Sequence, residues 1–369
     1  MKPERRFHDP ERTRALAKRL GQLVQQREQG FTVMEVCGTH THSIAAAGLR
    51  RILPAGVRLV SGPGCPVCVT PIDYMDRAVA LARRPETIVC TFGDLIRVPS
   101  SESSLERERA AGADVRIVYS ARDSLAVARD NPHSDIVFLG VGFETTMPTI
   151  AAAVDEAERE GIENLRVLSG AKLIEPPLRA LLEDGEVKVD AFLLPGHVSV
   201  ILGSKFYRFL SDEYGVPSAI AGFAPVDVML GLCELGDQLL GGTCEVANLY
   251  PRVVSSDGNP AALALLERYF SACDTRWRGL GEIPVSGLGF RPEFEHRDAA
   301  QLEVEVCAAI EAKGCCCGEV LKGMIEPPEC ALFDKGCTPE TPVGACMVSA
   351  EGTCAAWYRH ERLVLECGS

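Results

Sequence analysis

The chain has 369 residues, of which 46% are hydrophobic and 24% charged, a composition typical of a globular protein with more than one domain. Its net charge of -13 argues against a nucleic-acid partner, because contact with phosphates requires a basic face. Its apolar runs are shorter than a membrane span and residues 1–27 lack the apolar core of a secretory signal, so we predict a cytoplasmic protein with no membrane segment.

The sixteen cysteines are many for a reducing compartment. In a small secreted protein they would indicate a disulfide framework, but this chain is long and lacks a signal. Metal binding or redox chemistry therefore explains them better.

The first chemical motif follows a charged N-terminal helix and a predicted buried strand at Phe31–Val36. The strand ends at Cys37-Gly38-Thr39-His40, which places a thiol and an imidazole at a strand end. Ligands of parallel sheets gather outside the carboxyl ends of the strands. We therefore predict that Cys37 is a site residue, with a cysteine that merely caps the strand in the core as the alternative. For His40, one interpretation is a structural, hydrogen-bonded histidine.

A second motif follows the strand predicted at Val57–Ser61. Glycines and prolines force a tight turn that carries Cys65 and Cys68 at C-x-x-C spacing, just before a helix-like segment. A dithiol that opens and closes needs this spacing, and a helix N-terminus favours the thiolate. Two core cysteines, or half of a zinc site, are the alternatives.

Short apolar strands continue to alternate with amphipathic helices as far as about residue 256, which predicts parallel β-α-β units. We predict an α/β fold class with two Rossmann-like parallel-sheet domains that face a cleft, followed by a Cys-rich iron-sulfur domain. The boundaries are 1–130 for the first α/β domain with its N-terminal helix, 131–256 for the second, and 257–369 for the Cys-rich domain. Further strands are predicted at Thr87–Thr91, Val115–Tyr119, Ile136–Val141, Leu165–Ser169, Ala191–Leu194 and Ser218–Ala221.

Three more polar residues follow predicted strand ends, namely Asp94, Glu144 and His197. Together with the cysteines they predict one cleft that holds thiols, carboxylates and an imidazole. Each of the three either lines this cleft or fixes a loop, and the sequence does not distinguish these roles.

The last third of the chain places Cys315, Cys330, Cys337 and Cys354 in Pro-rich and Gly-rich segments. Four thiolates gathered by irregular loops suit an iron-sulfur cluster or zinc. We favour the cluster, because zinc ligands usually come in pairs about two to four residues apart. Cys317 is an alternative to Cys315 as the first ligand.

With these motifs in order, the chain resembles the HypD family of nickel-iron hydrogenase maturation proteins nearly from end to end. The resemblance rests on Cys37-Gly38-Thr39-His40, Gly62-Pro63-Gly64-Cys65-Pro66-Val67-Cys68, Thr91-Phe92-Gly93-Asp94, Gly142-Phe143-Glu144-Thr145-Thr146, Pro195-Gly196-His197-Val198, Cys317-Gly318-Glu319-Val320-Leu321 and Pro342-Val343-Gly344-Ala345-Cys346-Met347-Val348-Ser349.

The resemblance implies a scaffold that helps build the Fe(CN)2CO centre of the hydrogenase. It implies a 4Fe-4S cluster, a small partner HypC that shares the iron, and cyanide supplied by HypE working with HypF. Carried over to this chain, the cluster would be held by the four cysteines of the last third, and the transient iron by Cys37 with His40 beside it. Cys65 and Cys68 would be the redox dithiol.

Two rival functions remain from the residues alone. A stand-alone thiol-disulfide oxidoreductase would use Cys65 and Cys68 without the partner. A dinucleotide-binding enzyme is disfavoured, because no strand-helix turn carries a G-x-G-x-x-G fingerprint.

Overall fold

The computed structural model describes residues 9–362 of the chain, apart from residue 186, so that Cys367 lies outside the described residues. The strands are β1 (Phe31–Glu35), β2 (Val57–Ser61), β3 (Thr87–Thr91), β4 (Asp114–Ile117), β5 (Asp135–Gly142), β6 (Leu165–Ala171), β7 (Ala191–Leu194), β8 (Ser218–Ile220), β9 (Val246–Asn248), β10 (Phe270–Trp277) and β11 (Gly281–Phe290). The α-helices are α1 (Pro10–Val24), α2 (Gly38–Ala46), α3 (Pro66–Val69), α4 (Ile72–Arg83), α5 (Leu105–Ala110), α6 (Asp123–Asp130), α7 (Met147–Glu160), α8 (Glu175–Asp184), α9 (Gly196–Leu202), α10 (Arg208–Asp212), α11 (Pro225–Gly241), α12 (Pro260–Tyr269), α13 (Cys317–Leu321) and α14 (Thr353–His360).

Two parallel sheets confirm the predicted α/β class. The first has the strand order β2-β1-β7-β8-β9 and the second has the order β4-β3-β5-β6. In the first sheet β1 is paired on both sides, with Val33 opposite Leu59 of β2 and Ala191 of β7. Strands paired and buried on both sides are nearly continuous apolar runs, which is why they were recognisable in the sequence.

The strand pairing crosses the boundary expected between residues 130 and 131. The first sheet joins β1 and β2 to β7, β8 and β9, while the second joins β3 and β4 to β5 and β6. Each sheet therefore draws strands from both sides of residue 130, and the sheets are not two consecutive halves of the chain. Parallel strands are joined by a crossover connection, which can be of any length above a minimum. Neighbouring strands in a sheet therefore need not be consecutive in sequence.

The two sheets share one hydrophobic core. Successive side chains of β1 point to opposite faces, so Val33 packs with the outer helices while Met34 faces inward. The inward core also contains Val137 of the second sheet and Cys337 of the Cys-rich region. The Cys-rich region therefore closes over the inner faces of both sheets.

An antiparallel hairpin, β10–β11, follows the α/β part and was not predicted. Phe270 pairs with Phe290, and the pairing is interrupted between Cys273 and Thr275. The hairpin packs against β6 and α8, and beyond it the Cys-rich region contributes α14, which packs against α2. Within the described ranges, none of the helices has both the length and the apolar character of a membrane span.

Candidate functional site

Cys37 lies where the interior strand β1 ends and α2 begins. Its backbone is extended and its carbonyl accepts the N–H of Thr41 at 3.0 Å, so the residue caps the helix with its thiol beside the first turn. Burial, with a smaller contribution from the nearby carboxyl groups of Glu351 and Glu35, raises the pKa of this thiol to about 12. At neutral pH Cys37 is therefore a protonated thiol.

Glu35 lies directly beneath this thiol and is fully buried. Its carboxyl accepts the backbone N–H of Cys37 at 3.2 Å and the hydroxyl of Thr41 at 2.6 Å. Burial raises the pKa of Glu35 to about 7. We did not single out this residue from the sequence, although a carboxylate inside an apolar strand was a signal.

The imidazole of His40 is also fully buried, with its ring 4.8 Å from that of Phe223. Its Nε2 lies 3.0 Å from the carbonyl oxygen of Gly222, which can only accept, so the proton resides on Nε2. Burial lowers the pKa of His40 to about 4, and among the described residues Nδ1 has no hydrogen-bond partner. His40 is thus neutral with a free lone pair on Nδ1.

His197 reaches the same place from the end of β7. Its exposed ring lies 4.1 Å from the ring of Phe223, and its Nδ1 is 3.5 Å from the hydroxyl of Thr39. That hydroxyl donates to Glu351 of the Cys-rich region at 2.6 Å. The structure therefore brings His197 together with the Cys37 motif, and adds Glu351, for which the sequence offered no recognisable pattern.

The C-x-x-C turn packs against the Cys37 motif. The N–H of Gly38 donates to the carbonyl of Gly64 at 3.1 Å, and the N–H of Gly62 donates to the carbonyl of Glu35 at 2.7 Å. A Cβ atom on Gly64 would overlap the backbone of Val36 and Cys37. Glycine is therefore required at residue 64 for the two motifs to approach each other.

Cys65 and Cys68 form a disulfide, with Cys65 as the cap of the short helix α3. The N–H of Cys68 donates to the sulfur of Cys65 at 3.3 Å. Both residues are buried, with 4% and 0% of their surface exposed. The two cysteines predicted as a dithiol are thus joined by a disulfide, and their burial keeps large substrates away from the sulfurs.

Glu144 lies apart from direct contact with Cys37. Its Oε1 accepts the N–H of Ile174 at 2.9 Å, while Oε2 is buried without a hydrogen-bond partner among the described residues. Burial raises the pKa of Glu144 to about 7. The side chain lines a mainly apolar cavity of about 660 Å³ that also includes Phe206 and Phe270.

Asp94 also does not contact the Cys37 motif. Its exposed carboxylate accepts the hydroxyl of Ser349 at 2.6 Å. This hydrogen bond ties the loop after β3 to the Cys-rich region. Of the residues predicted for one cleft, the structure thus brings Cys37, His40, His197 and the Cys65–Cys68 pair together, and places Asp94 and Glu144 around them.

Six thiols line a small enclosed cavity in the Cys-rich region, and its walls are otherwise mostly apolar. They belong to Cys315, Cys316, Cys317, Cys330, Cys337 and Cys354. All four cysteines predicted as cluster ligands are therefore gathered at one place, together with the alternative ligand Cys317.

The sulfurs of Cys315 and Cys317 lie 3.3 Å apart, and this contact with Cys317 lowers the pKa of Cys315 to about 6. The backbone N–H of Val343 donates to the sulfur of Cys337 at 3.3 Å. A Cβ atom on Gly344 would overlap the sulfurs of Cys315 and Cys317, so the chain leaves room around them. Sulfur donors in an apolar cavity, one of them receiving an N–H group, fit an iron-sulfur cluster.

No group of three or more His, Cys, Asp or Glu side chains within the described part of the chain is arranged to hold a single metal ion. A four-iron cluster binds each thiolate through a different iron, so its ligands do not converge on one point. The sulfurs of Cys315 and Cys317 lie side by side, so their positions do not decide which of the two predicted alternatives is the first ligand.

A single layer of packed residues lies between the Cys65–Cys68 disulfide and the thiol-lined cavity. Helix α3 packs against the 3-10 helix Ala345–Met347, whose Cys346 interacts with the thiols of Cys317 and Cys354. The carbonyl of Val69 accepts the N–H of Arg278 at 2.9 Å. The C-x-x-C helix therefore lies between the Cys37 motif and the cysteine cavity.

Comparison with known proteins gives a consistent result. The family model HypD, described as "Hydrogenase formation hypA family", matches residues 11–361. The chain is 43% identical to the hydrogenase maturation factor HypD of Rhodobacter capsulatus over 98% of both chains. It is 43% identical to HypD of Azotobacter vinelandii over 96% of both chains and 42% identical to HypD of Escherichia coli (strain K12) over 94% of both.

Proposed function

The chain belongs to the HypD family of hydrogenase maturation factors, and from this premise we propose that it is a redox-active scaffold on which the Fe(CN)2CO unit of a nickel-iron hydrogenase is assembled. The observation that carries the proposal is the position of Cys37. One thiol at the end of an interior strand lies between the C-x-x-C turn, His40 and His197.

In this proposal the iron is cargo and Cys37 is its thiolate ligand. Ferrous iron with cyanide and carbon monoxide is a soft centre that thiolate suits. Burial keeps the thiol of Cys37 protonated, so iron binding releases a proton. Glu35, with a pKa near 7, accepts the N–H of Cys37 and stabilises the motif through this hydrogen bond. Nδ1 of His40 is a second donor atom within the same motif.

We propose that HypC provides the second protein thiolate and that HypE, with HypF, supplies the cyanide. A single thiolate from this chain leaves most iron positions open for a partner and for diatomic ligands. The exposed ring of His197 marks the solvent-facing side of the motif, where a partner can approach. The acidic net charge of -13 accords with protein partners in the cytoplasm rather than nucleic acid.

The Cys65–Cys68 disulfide accepts two electrons and two protons, which breaks the sulfur-sulfur bond and leaves two thiols. The cysteine cavity fits a 4Fe-4S cluster held by Cys330, Cys337, Cys354 and either Cys315 or Cys317, which when bound supplies one-electron redox chemistry. Helix α3 places the dithiol within the same core as this cavity and next to Cys37. The dithiol would thereby serve the iron site.

The rival function, a stand-alone disulfide oxidoreductase, accords less well with burial. A protein substrate must reach a sulfur of the dithiol, but Cys65 is 4% exposed and Cys68 is 0% exposed. Neighbouring motifs and the cysteine cavity enclose the pair on the sides that face the core.

Complementation of a hydrogenase-positive bacterium that lacks its own HypD tests the proposal. Expression of this chain should restore hydrogenase activity, and Cys37→Ser should abolish it. Cys244→Ser, at a partly buried cysteine outside the motifs, is the matched control and should retain activity. Full activity with Cys37→Ser would contradict the scaffold, and turnover of dithiol substrates unaffected by Cys37→Ser or Cys337→Ser would support the oxidoreductase.

A further inference from the structure

Arg278 is a buried cation in the turn that joins β10 to β11. Only 6% of its surface is exposed, and its Nε and Nη2 atoms have no hydrogen-bond partner among the described residues. Its backbone is fixed, since its N–H donates to the carbonyl of Val69, the last residue of the C-x-x-C helix. An unpartnered buried guanidinium is costly, so an acceptor for its N–H groups is expected nearby.

The surroundings of Arg278 show where this acceptor lies. The residue lines a depression of about 390 Å³ together with Cys315 and Cys317. The neighbouring Gly279 has a φ of +78° and approaches Gly318 so closely that a Cβ atom on either glycine would overlap the other's backbone. The turn that carries Arg278 is thus held directly against the start of α13, where the Cys315 and Cys317 thiols are located.

Glu311 and Glu319 also line this depression, and the sulfur atoms of Cys315 and Cys317 are the acceptors in it that belong to the cysteine cavity. A guanidinium that lines the same depression as these sulfurs places positive charge beside any thiolate there. A cluster bound by four thiolates carries net negative charge, and its one-electron reduction adds one more charge without breaking a bond. Hydrogen bonds to the sulfurs and nearby positive charge favour the reduced state and raise the reduction potential.

We propose that Arg278 sets the reduction potential of the iron-sulfur cluster by donating N–H groups to its sulfurs and by placing a buried positive charge beside it. This inference rests on the cluster of the proposed function. It assigns a redox role to the β10–β11 hairpin, which contains none of the sequence motifs. Arg278 acts as a positioning and tuning residue, because the cluster ligands themselves are cysteines.

Potentiometric titration of the anaerobically purified full chain, with dithionite as the electron donor, tests the inference. Arg278→Gln should keep the iron and sulfide content but lower the ratio of reduced to oxidised cluster at least tenfold at a given potential, a shift of about 59 mV to more negative values. Arg278→Lys, which keeps the charge, should recover part of the shift. Arg276→Gln is the matched control, because this exposed arginine two residues earlier pairs with Asp73 at 3.7 Å; its potential should equal that of the wild type.

Each outcome decides the inference. An unchanged potential in Arg278→Gln, or a folded Arg278→Gln protein without a cluster, would overturn it, the latter because Arg278 would then hold the cluster rather than tune it. A wild-type chain without iron and sulfide would overturn the proposed cluster as well.

A measurement on the wild type is independent of whether the variant folds. Arginine labelled with ¹⁵N only in the guanidinium group should give a resolved ¹⁵N coupling in pulsed electron paramagnetic resonance spectra of the reduced cluster. Its absence would contradict the N–H contacts.

Discussion

Burial raises the pKa of three ionisable side chains near the strand ends and so favours their neutral forms. The pKa of Glu35 and that of Glu144 are both raised to about 7, and that of Cys37 to about 12. Desolvation is the largest cause for each of them, since a charge in the core loses its hydration. Glu35 has hydrogen-bond donors for both oxygens, whereas Oε2 of Glu144 has none among the described residues. These groups should therefore make stability depend on pH.

Glu144→Gln should stabilise the protein at pH 8 and have much less effect at pH 5. The folded-state pKa of about 7 exceeds the ordinary value of 4.5, so stability present below pH 4.5 is lost as the pH rises through 7. At about 1.4 kcal/mol per pKa unit, the gain at pH 8 is on the order of 3 kcal/mol, falling below about 1 kcal/mol at pH 5. Urea unfolding at both pH values measures it.

Glu163→Gln is the control for this substitution, because Glu163 is exposed and its change of charge should alter stability little at either pH. An equal effect of Glu144→Gln at pH 5 and pH 8 would contradict the raised pKa, because the carboxyl would then be ionised in the folded protein at pH 5 as well.

At the scale of elements, two turns at the ends of β1 and β2 depend on close backbone approach. Helix α2 begins at Gly38, directly after Cys37, and α3 begins at Pro66, directly after Cys65. Adjacent parallel strands bring both turns to the same sheet edge, and Gly64 allows them to touch. The close approach of Cys37 to the Cys65–Cys68 pair therefore depends on Gly64.

Gly64→Ala should separate the two turns and destabilise the protein by about 1–3 kcal/mol, as expected for an overpacked site. The same substitution should impair hydrogenase maturation, because the dithiol moves away from Cys37. Thermal unfolding and the complementation assay measure the two effects.

Gly241→Ala provides the comparison, since this glycine ends α11 and a Cβ atom there would be 3.8 Å from its nearest neighbour. Alanine should be tolerated or slightly stabilising in a helix. Wild-type stability and activity in Gly64→Ala would mean that the contact between the turns is dispensable.

At the scale of the whole molecule, the Cys-rich region completes the site that the two sheets begin. It provides the thiol-lined cavity, and it also reaches back to the α/β part through Glu351 at Thr39 and Ser349 at Asp94. Val36 beside Cys37, the Cys65–Cys68 pair and the cysteines of the cavity thus belong to one continuous core. Substitution of a cysteine that lines the cavity should therefore impair the proposed cluster chemistry without unfolding the two sheets.

Cys337→Ser should lose most of its iron and sulfide, whereas the wild type, purified without oxygen, should be brown and contain about four of each per chain. Cys337 is a proposed ligand whose sulfur receives the N–H of Val343. Chemical analysis of iron and acid-labile sulfide measures the loss, and the exposed Cys307→Ser is the control. A colourless wild-type chain with one zinc would exclude the cluster.

Much of this arrangement could be predicted from the sequence, because buried parallel strands are short apolar runs and their ends carry the motifs. The eight predicted strands all correspond to strands of the structure, with ends displaced by a few residues. The pairing order could not be predicted, since β1 pairs with β7 across more than a hundred residues. The hairpin was missed because glycine, proline and charged residues interrupt its alternation, as at Pro284 within β11.

The parts of the candidate site that consist of contiguous motifs were predicted. Single residues that reach the site from distant parts of the chain were missed. Cys37, the dithiol and the four cysteines of the last third are recognisable by type and spacing. Glu351 and Arg278 acquire their positions only through tertiary packing, and neither has a local pattern. The sequence pattern predicts a helix from Ser43 to Ile52 after the Cys37 motif, but α2 begins at Gly38, because tertiary packing outweighs the low helix propensity of glycine and threonine.

Infrared spectroscopy tests the central claim most directly, because cyanide and carbon monoxide bound to iron absorb where proteins do not. The chain would be produced together with the hydrogenase maturation proteins of its host and purified without oxygen. We expect cyanide and carbon monoxide bands in the wild type and in Cys244→Ser, and none in Cys37→Ser. Bands that persist in Cys37→Ser, or a wild-type chain without them, would contradict assembly of the iron unit at Cys37.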